Sequence, residues 1–252
     1  MTMQEAPPAP FKADNAVHVS LIVPVYNEEE NLDPLVEEIR LAMDRQPRCW
    51  NLLFIDDGSS DSSLPVMRSL AAKYENVHYL SFIENQGQSA AFAAGFREAQ
   101  GSVFVTLDAD LQNDPADIPL LLNMYDQGYD MVTGWRADRR DGFAKRTASR
   151  IANAIRNRLS HETVRDTGCS LKVFRASMAV KLPLFTGMHR FFPTLMKLQG
   201  AKVAEVRVRH RPRLHGKSKY GIWDRAFSSL YDLFAVRWMQ KRTFAYRIRE
   251  RN

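Results

Sequence analysis

Residues Val17–Val25 form a run rich in β-branched side chains, the pattern of a strand buried on both faces of a parallel sheet. From Asn31 to Asp44 the apolar positions Leu32, Leu35, Val36, Ile39 and Met43 recur every three or four residues. With acids gathered at its start, this stretch predicts an amphipathic helix. The same alternation continues. Strands are expected at Asn51–Ile55, Val77–Phe82, Ser102–Leu107 and Tyr129–Thr133, and helices over Asp61–Tyr74, Gly87–Ala99 and Ile118–Tyr125, the last opened by Pro115. Ala91, Ala94, Gly95 and Ala99 would let their helix pack closely. Repeated strand and helix predict an α/β fold: an open, mostly parallel twisted sheet flanked by helices. Such sheets bind ligands beyond the carboxyl ends of their strands, where the acidic and Gly-rich clusters of this chain fall.

After Gly134 the alternation breaks. Phe143–Leu159 reads as a helix with Lys145, Arg146, Arg150, Arg156 and Arg158 set apart from Phe143, Ile151, Ile155 and Leu159. Strands are expected in Gly168–Phe174 and Lys202–His210. Ile222–Trp238 is amphipathic again, with Trp223, Phe227, Leu230, Phe234 and Trp238 at helical spacing. This divides the chain into a leader over 1–16, with Pro7, Pro8 and Pro10, an α/β body over 17–220, and a basic helical extension over 221–252.

Composition narrows the classes. Of 252 residues, 45% are apolar and 25% charged, which supports a sizeable core and excludes a wholly disordered chain. No apolar run approaches the length of a membrane-spanning helix, so none is expected. Two cysteines, Cys49 and Cys169, are too few for a disulfide framework or a cysteine zinc site and suggest a reducing, cytoplasmic setting. The net charge of +6 is unevenly spread: from Glu205 to Asn252 there are 13 Lys and Arg against 4 Asp and Glu, while the rest of the chain is mildly acidic. A basic end suits an anionic membrane, a phosphorylated substrate or nucleic acid.

The sharpest chemical signal is Asp108-Ala109-Asp110-Leu111-Gln112. Two carboxylates at spacing two on a strand tip, followed by an amide, project hard oxygens toward one point, as Mg²⁺ or Mn²⁺ requires. The alternative is a turn whose aspartates only cap the next helix. The strand-end position and a second acidic cluster, Asp56-Asp57-Gly58-Ser59, favour the cation, since neighbouring carboxylates repel. With Pro24-Val25-Tyr26-Asn27-Glu28 that second cluster suggests a nucleotide pocket, although a tight turn explains it equally well alone.

Val23-Pro24-Val25-Tyr26-Asn27-Glu28, Asp56-Asp57-Gly58-Ser59-Ser60-Asp61, Asn85-Gln86-Gly87-Gln88 and Asp108-Ala109-Asp110-Leu111-Gln112, in this order, resemble glycosyltransferase family 2. Asp166-Thr167-Gly168-Cys169 and the run Arg211–Tyr220 resemble more narrowly the polyprenyl-phosphate glycosyltransferases similar to dolichyl-phosphate mannose synthase. The resemblance covers roughly Val17 to Trp238 and implies a GT-A nucleotide-sugar fold. It implies that Pro24, Tyr26, Glu28, Asp56 and Asp57 hold the nucleoside, with Gln88 also on the donor. Asp108, Asp110 and Gln112 would hold Mg²⁺ or Mn²⁺ on the donor diphosphate, with Asp110 in the catalytic centre. Arg136 would face a phosphate, Asp166 would lie on the acceptor side, and Arg213, Ser218 and Lys219 would close over the phosphates. Members often carry transmembrane helices after the basic loop; this chain ends at Asn252, so peripheral attachment is expected.

The resemblance implies inverting transfer of a hexose-type sugar from a nucleotide sugar to undecaprenyl or dolichyl phosphate at the cytoplasmic membrane face. A phosphate acceptor is already anionic, which removes the need for a strong general base. A hydroxyl acceptor on a glycan or lipid-linked saccharide would instead need one, with Asp166 the first candidate. A non-catalytic basic module docking on membranes is the reading from another class. Interleaved basic and aromatic residues after Trp238 can bind single-stranded nucleic acid, but nothing else supports that, and no nucleic acid is expected.

Overall fold

Among the described residues, seven strands share one sheet. The computed structural model describes residues 18–137, 163–212 and 222–244 together with Glu250, residues 222–230 by their backbone alone. In chain order the elements are β1 (Val19–Val25), α1 (Leu32–Met43), β2 (Trp50–Asp56), α2 (Ser63–Lys73), β3 (Val77–Ser81), α3 (Gln88–Glu98) and β4 (Val103–Thr106). A 3-10 turn (Pro115–Asp117) leads into α4 (Ile118–Tyr125), followed by β5 (Met131–Trp135), β6 (Lys172–Arg175) and α5 (Ala176–Ala179). A second 3-10 turn (Met188–Phe191) leads into α6 (Phe192–Leu198), and β7 (Val203–Arg207) and α7 (Ile222–Arg242) close the list. The expected leader, the helix at Phe143–Leu159 and the basic run Arg213–Tyr220 lie outside the described residues.

Up to β5 the expected elements appear with boundaries within two residues. The order across the sheet is β3-β2-β1-β4-β6-β5-β7. β1 pairs in parallel with β2 and β4, β2 with β3, and β5 with β7, whereas β6 runs antiparallel to both β4 and β5. The sheet is therefore mostly parallel, and its reversed strand comes from the region where the alternation of the sequence fails. β6 begins at Lys172, four residues later than the pattern suggested, because Asp166–Leu171 turns the chain back toward β4.

Each face of the sheet carries a core. On one, Leu21, Val23, Leu52, Phe54, Val105, Val132 and Val173 pack against the buried sides of α1, α2 and α4. On the other, Ile22, Phe104, Met131 and Phe174 meet Phe92 and Phe96 of α3 and Phe192 of α6. Phe96 stacks on Phe104 at 5.7 Å, and Phe192 meets Phe174 edge-on at 5.4 Å. Gly95 lets α3 sit directly on β1, since a Cβ there would run into Ile22. α7 adds Leu233 and Val236 to this second core. Its aromatic stripe divides from that face: Tyr231, Phe234 and Trp238 are 79%, 61% and 64% exposed.

Candidate active site

The carboxyl ends of β1, β2 and β4 lie along one edge of the sheet, and the acidic motifs leave from them. Asp56, the last residue of β2, is buried and accepts hydrogen bonds from Ser59 N (2.9 Å) and from the Ser81 hydroxyl of β3 (2.7 Å). Asp57 accepts from Gln86 N at 2.7 Å, Gly87 N at 3.0 Å and Asn85 Nδ2 at 2.9 Å. Burial raises its pKa, and the loop amides work against that rise. Gly58, at φ +69°, fits beneath the loop because a Cβ would come within 2.6 Å of the Glu84 backbone. Asp57 thus shapes the Asn85–Gln88 loop that opens α3, while Asp56 ties the turn after β2 to β3. At the end of β1, Asn27 adopts φ 54° and its side-chain oxygen accepts from Ser60 N at 2.8 Å. Glu28 accepts from Asn31 Nδ2 at 2.6 Å. Pro24, Tyr26 and Glu28 are half-buried around this junction.

Beyond β4 the chain makes a tight reversal anchored by the buried side chains of Leu107 and Leu111. Leu111 has φ 58°, a backbone that leucine rarely adopts and that marks a constrained turn between Asp110 and Gln112. Gln112 N donates to Asp110 Oδ1 at 3.2 Å. Asp108 Oδ1 accepts from Gln88 Nε2 at 2.7 Å, and Asp108 N donates to Ser170 Oγ at 3.2 Å. Burial, followed by the charge of Asp110, pushes the Asp108 pKa up to about 6. Two neighbouring carboxylates on the cleft wall, Asp110 buried and Asp108 half-buried, are what a hard cation relieves. Among the described residues no three His, Cys, Asp or Glu side chains converge as a closed cation cage. The oxygen donors of Asp108, Asp110 and Gln112 line one cleft, and their chemistry suits a hard ion that takes water and phosphate oxygens as further ligands.

Gln88, Asp108, Asp110, Gln112 and Arg136 line one cleft of about 540 Å³. The cleft is also lined by His189, whose Nδ1 lies 2.8 Å from Ser89 Oγ. Arg136, just past β5, forms a two-pronged ion pair with Asp166: Nε to Oδ2 at 2.7 Å and Nη2 to Oδ1 at 2.9 Å. Burial alone would raise the Asp166 pKa and lower that of Arg136, but each partner overrides it, so Asp166 is shifted down and Arg136 up. Pro24, Tyr26, Glu28, Asp56 and Asp57 do not line this cleft; they cluster at the ends of β1 and β2. Arg213, Ser218 and Lys219 lie outside the described residues.

The chain reaches that last segment beside the carboxylate turn. Asn113 bridges to His210, and Arg211 N donates to the Gln112 carbonyl at 2.8 Å. Arg209 pairs with Asp117 at 2.8 Å, and Arg211 with Asp114 at 2.9 Å and Glu38 at 2.7 Å. Sequence reasoning did not single out Lys172, which lines the cleft at 3% exposure. The available signal was a cation between Leu171 and the apolar pair Val173-Phe174.

The family model for glycosyl transferase family 2 matches residues 20–182. The chain is 38% identical over 226 residues to a dodecaprenyl-phosphate galacturonate synthase of Rhizobium johnstonii, covering 88% of this chain and 67% of that protein. It is 37% identical to an undecaprenyl-phosphate 4-deoxy-4-formamido-L-arabinose transferase of Edwardsiella ictaluri, covering 85% and 66%. The chain thus spans about two thirds of the length of these curated relatives. Among solved structures, glucosyl-3-phosphoglycerate synthase from Mycobacterium tuberculosis, crystallised with Mn²⁺, UDP and phosphoglyceric acid, aligns at TM-score 0.67 and 18% identity, covering 91% of this chain and 80% of that one. A mannosyltransferase from Pyrobaculum calidifontis, in complex with GDP-mannose and Mn²⁺, aligns at TM-score 0.64 and 17% identity over 90% of this chain and 67% of that one. The fold is that of GT-A glycosyltransferases, as the sequence motifs implied.

Proposed function

The chain belongs to glycosyl transferase family 2, and on that premise we propose that it moves a hexose-type sugar from a nucleotide sugar to a polyprenyl phosphate. The observation that carries this reading is one cleft whose lining combines Asp108, Asp110 and Gln112 with the cations Arg136 and Lys172, both of which act on the charge of Asp108. A carboxylate pair for a divalent ion, in one cleft with two cations, suits a reaction that brings two phosphate-bearing substrates together. The naming of similar chains for polyprenyl-phosphate substrates supports the same acceptor class.

In this reading Asp108, Asp110 and Gln112 hold Mg²⁺ or Mn²⁺, which when bound neutralises charge on the donor diphosphate. Pro24, Tyr26, Glu28 and Asp57 orient the nucleoside, with Asp57 acting through the loop it ties down. Gln88 fixes the carboxylate of Asp108. Arg136 turns toward phosphate, positioned by Asp166. Arg213, Ser218 and Lys219, which lie outside the described residues, keep in this reading the phosphate-binding role that the sequence resemblance implies. The acceptor oxygen attacks the anomeric carbon opposite the leaving diphosphate, inverting the centre.

Asp166 also bears on the acceptor. A carboxylate gripped by a guanidinium and shifted down is a poor proton acceptor. A hydroxyl acceptor needs such a base, whereas a phosphate does not, which favours the phosphate. Membrane attachment is proposed through α7, whose outward Phe234 and Trp238 are flanked by Arg237, Lys241 and Arg242. No helix among the described residues is long and apolar enough to cross a membrane.

The direct test is incubation with a panel of radiolabelled nucleotide sugars, Mn²⁺ and undecaprenyl or dolichyl phosphate, followed by extraction of the lipid phase. Label entering that phase only with acceptor present is expected. Label reaching only glycan or water overturns the proposal.

A further inference from the structure

Lys172 opens β6 between β4 and β5, paired directly with Thr106 on one side and Thr133 on the other. Directly paired residues of neighbouring strands present their side chains to the same face. Two residues further along β6 the equivalent row is Phe104, Phe174 and Met131, part of the aromatic core. Toward the cleft that row becomes Thr106, Lys172 and Thr133. The core therefore ends at an ammonium rooted in the middle of a seven-stranded sheet.

Among the described residues, that ammonium makes no hydrogen bond and no ion pair within 4.0 Å, although only 3% of the residue is exposed. Burial lowers its pKa against the pull of Cys169, Asp166 and Asp108, with Arg136 adding to the fall. Arg136 differs, because Asp166 takes two of its donors. Thr167 lines the same cleft, and its buried hydroxyl has no partner among the described residues. The Lys172 ammonium is not fully enclosed: it opens onto the cleft, with the charges of Asp166 and Asp108 acting on it only from a distance. A methionine would fill the same volume without the cost of desolvating a charge. Packing therefore does not account for a lysine here. A bound anion does.

We propose that Lys172 is an anion-binding residue of the cleft floor, taking a phosphate oxygen of a bound substrate. This rests on the sugar-transfer reading above for the identity of the phosphate. Two sources share the chemistry: the diphosphate of the donor and the monophosphate of the acceptor.

The test compares the wild-type chain with Lys172→Met, Lys172→Gln and Lys172→Arg. Calorimetry with inorganic pyrophosphate plus Mn²⁺ reads the donor side, and farnesyl phosphate reads the acceptor side. Both neutral variants are expected to weaken one of these by about 10- to 100-fold, the range for a hydrogen bond to a charged group. Lys172→Arg restores most of the loss. Without anion, Lys172→Met melts at or above the wild-type temperature, an outcome a structural lysine would not give. Unchanged affinity for both probes overturns the proposal. Failure of both neutral variants to fold does so too, because it makes the ammonium a structural necessity. If the wild type yields no lipid-linked sugar but pyrophosphate binding still depends on Lys172, the sugar-transfer reading falls and this one stands. If Lys172→Met makes product with unchanged KM for both substrates, the reverse holds.

Discussion

Arg136 holds Asp166 by three donors at once: its Nε at 2.7 Å, its Nη2 at 2.9 Å and its own backbone N–H at 3.2 Å. The two side chains are only 12% and 11% exposed, so the pair is screened weakly and both partners depend on it. Asp166→Asn is expected to cost about 3–5 kcal/mol, the range for breaking one side of a buried pair. Chemical denaturation measures it. Nucleotide binding by the folded fraction should persist, with transfer reduced rather than lost. Near-total loss of transfer with intact nucleotide binding would instead mark Asp166 as a base and point to a hydroxyl acceptor.

The same pair sets an acid limit. The folded pKa of Asp166 lies below its unfolded value of about 3.9, so its contribution is present above that pH and disappears as pH falls through the folded value. Thermal melts of wild type and Asp166→Asn should therefore differ most near neutrality and converge in acid below about pH 4. A constant difference across that window would show that the pair is not what titrates.

Asp108→Asn removes a carboxylate that burial and Asp110 both oppose. Without metal, the variant should be at least as stable as the wild type. Binding of nucleoside diphosphate with Mn²⁺ should fall sharply, and transfer should drop on the order of 10²–10³, as for loss of one preorganised electrostatic contact. Calorimetry and a melt series read the two effects separately. A destabilised variant with normal nucleotide binding would make Asp108 a structural cap.

Gly95→Ala sets two effects against each other. Alanine is better than glycine in a helix interior by about 1 kcal/mol. Here, however, its methyl group would collide with Ile22 in the middle of the sheet, and overpacking of that kind costs about 1–3 kcal/mol. The expected balance is loss of stability in denaturant melts, with rate per folded molecule unchanged.

For the outward face of α7, replacing Phe234 and Trp238 together by serine should leave nucleotide binding intact and abolish sedimentation with anionic liposomes at low salt. Wild-type binding should be released by salt. No wild-type binding even at low salt removes the membrane proposal.

How far these features could be read from the sequence varies along the chain. In the first half, each strand and helix is written in a local period, and residues such as Leu32, Val36 and Ile39 fall inward as that period requires. The carboxylate motif was equally legible because its spacing is local. The direction of β6 was not, since strand polarity depends on the turn through Asp166–Leu171 and on distant partners, Thr106 of β4 and Thr133 of β5. The stripe on α7 misleads in a different way: Phe234 and Trp238 share a period with the core but point outward, while the smaller Leu233 and Val236 are buried. Lys172 escaped because one cation beside apolar neighbours looks like a surface residue until its strand is seen between β4 and β5 inside the sheet.

The reversed strand has a consequence for synthesis. β3, β2, β1 and β4 are neighbours made from the first 106 residues, so this block can assemble while translation continues. β5 emerges next but has no place beside β4, and its two partners, β6 and β7, begin only at residues 172 and 203. A ribosome pausing in that interval leaves an open edge on β4 and an orphan strand, the arrangement chaperones recognise and stray strands exploit. The insertion that closes this gap also delivers Lys172, so the nascent chain acquires its cleft floor in the same event that seals its sheet.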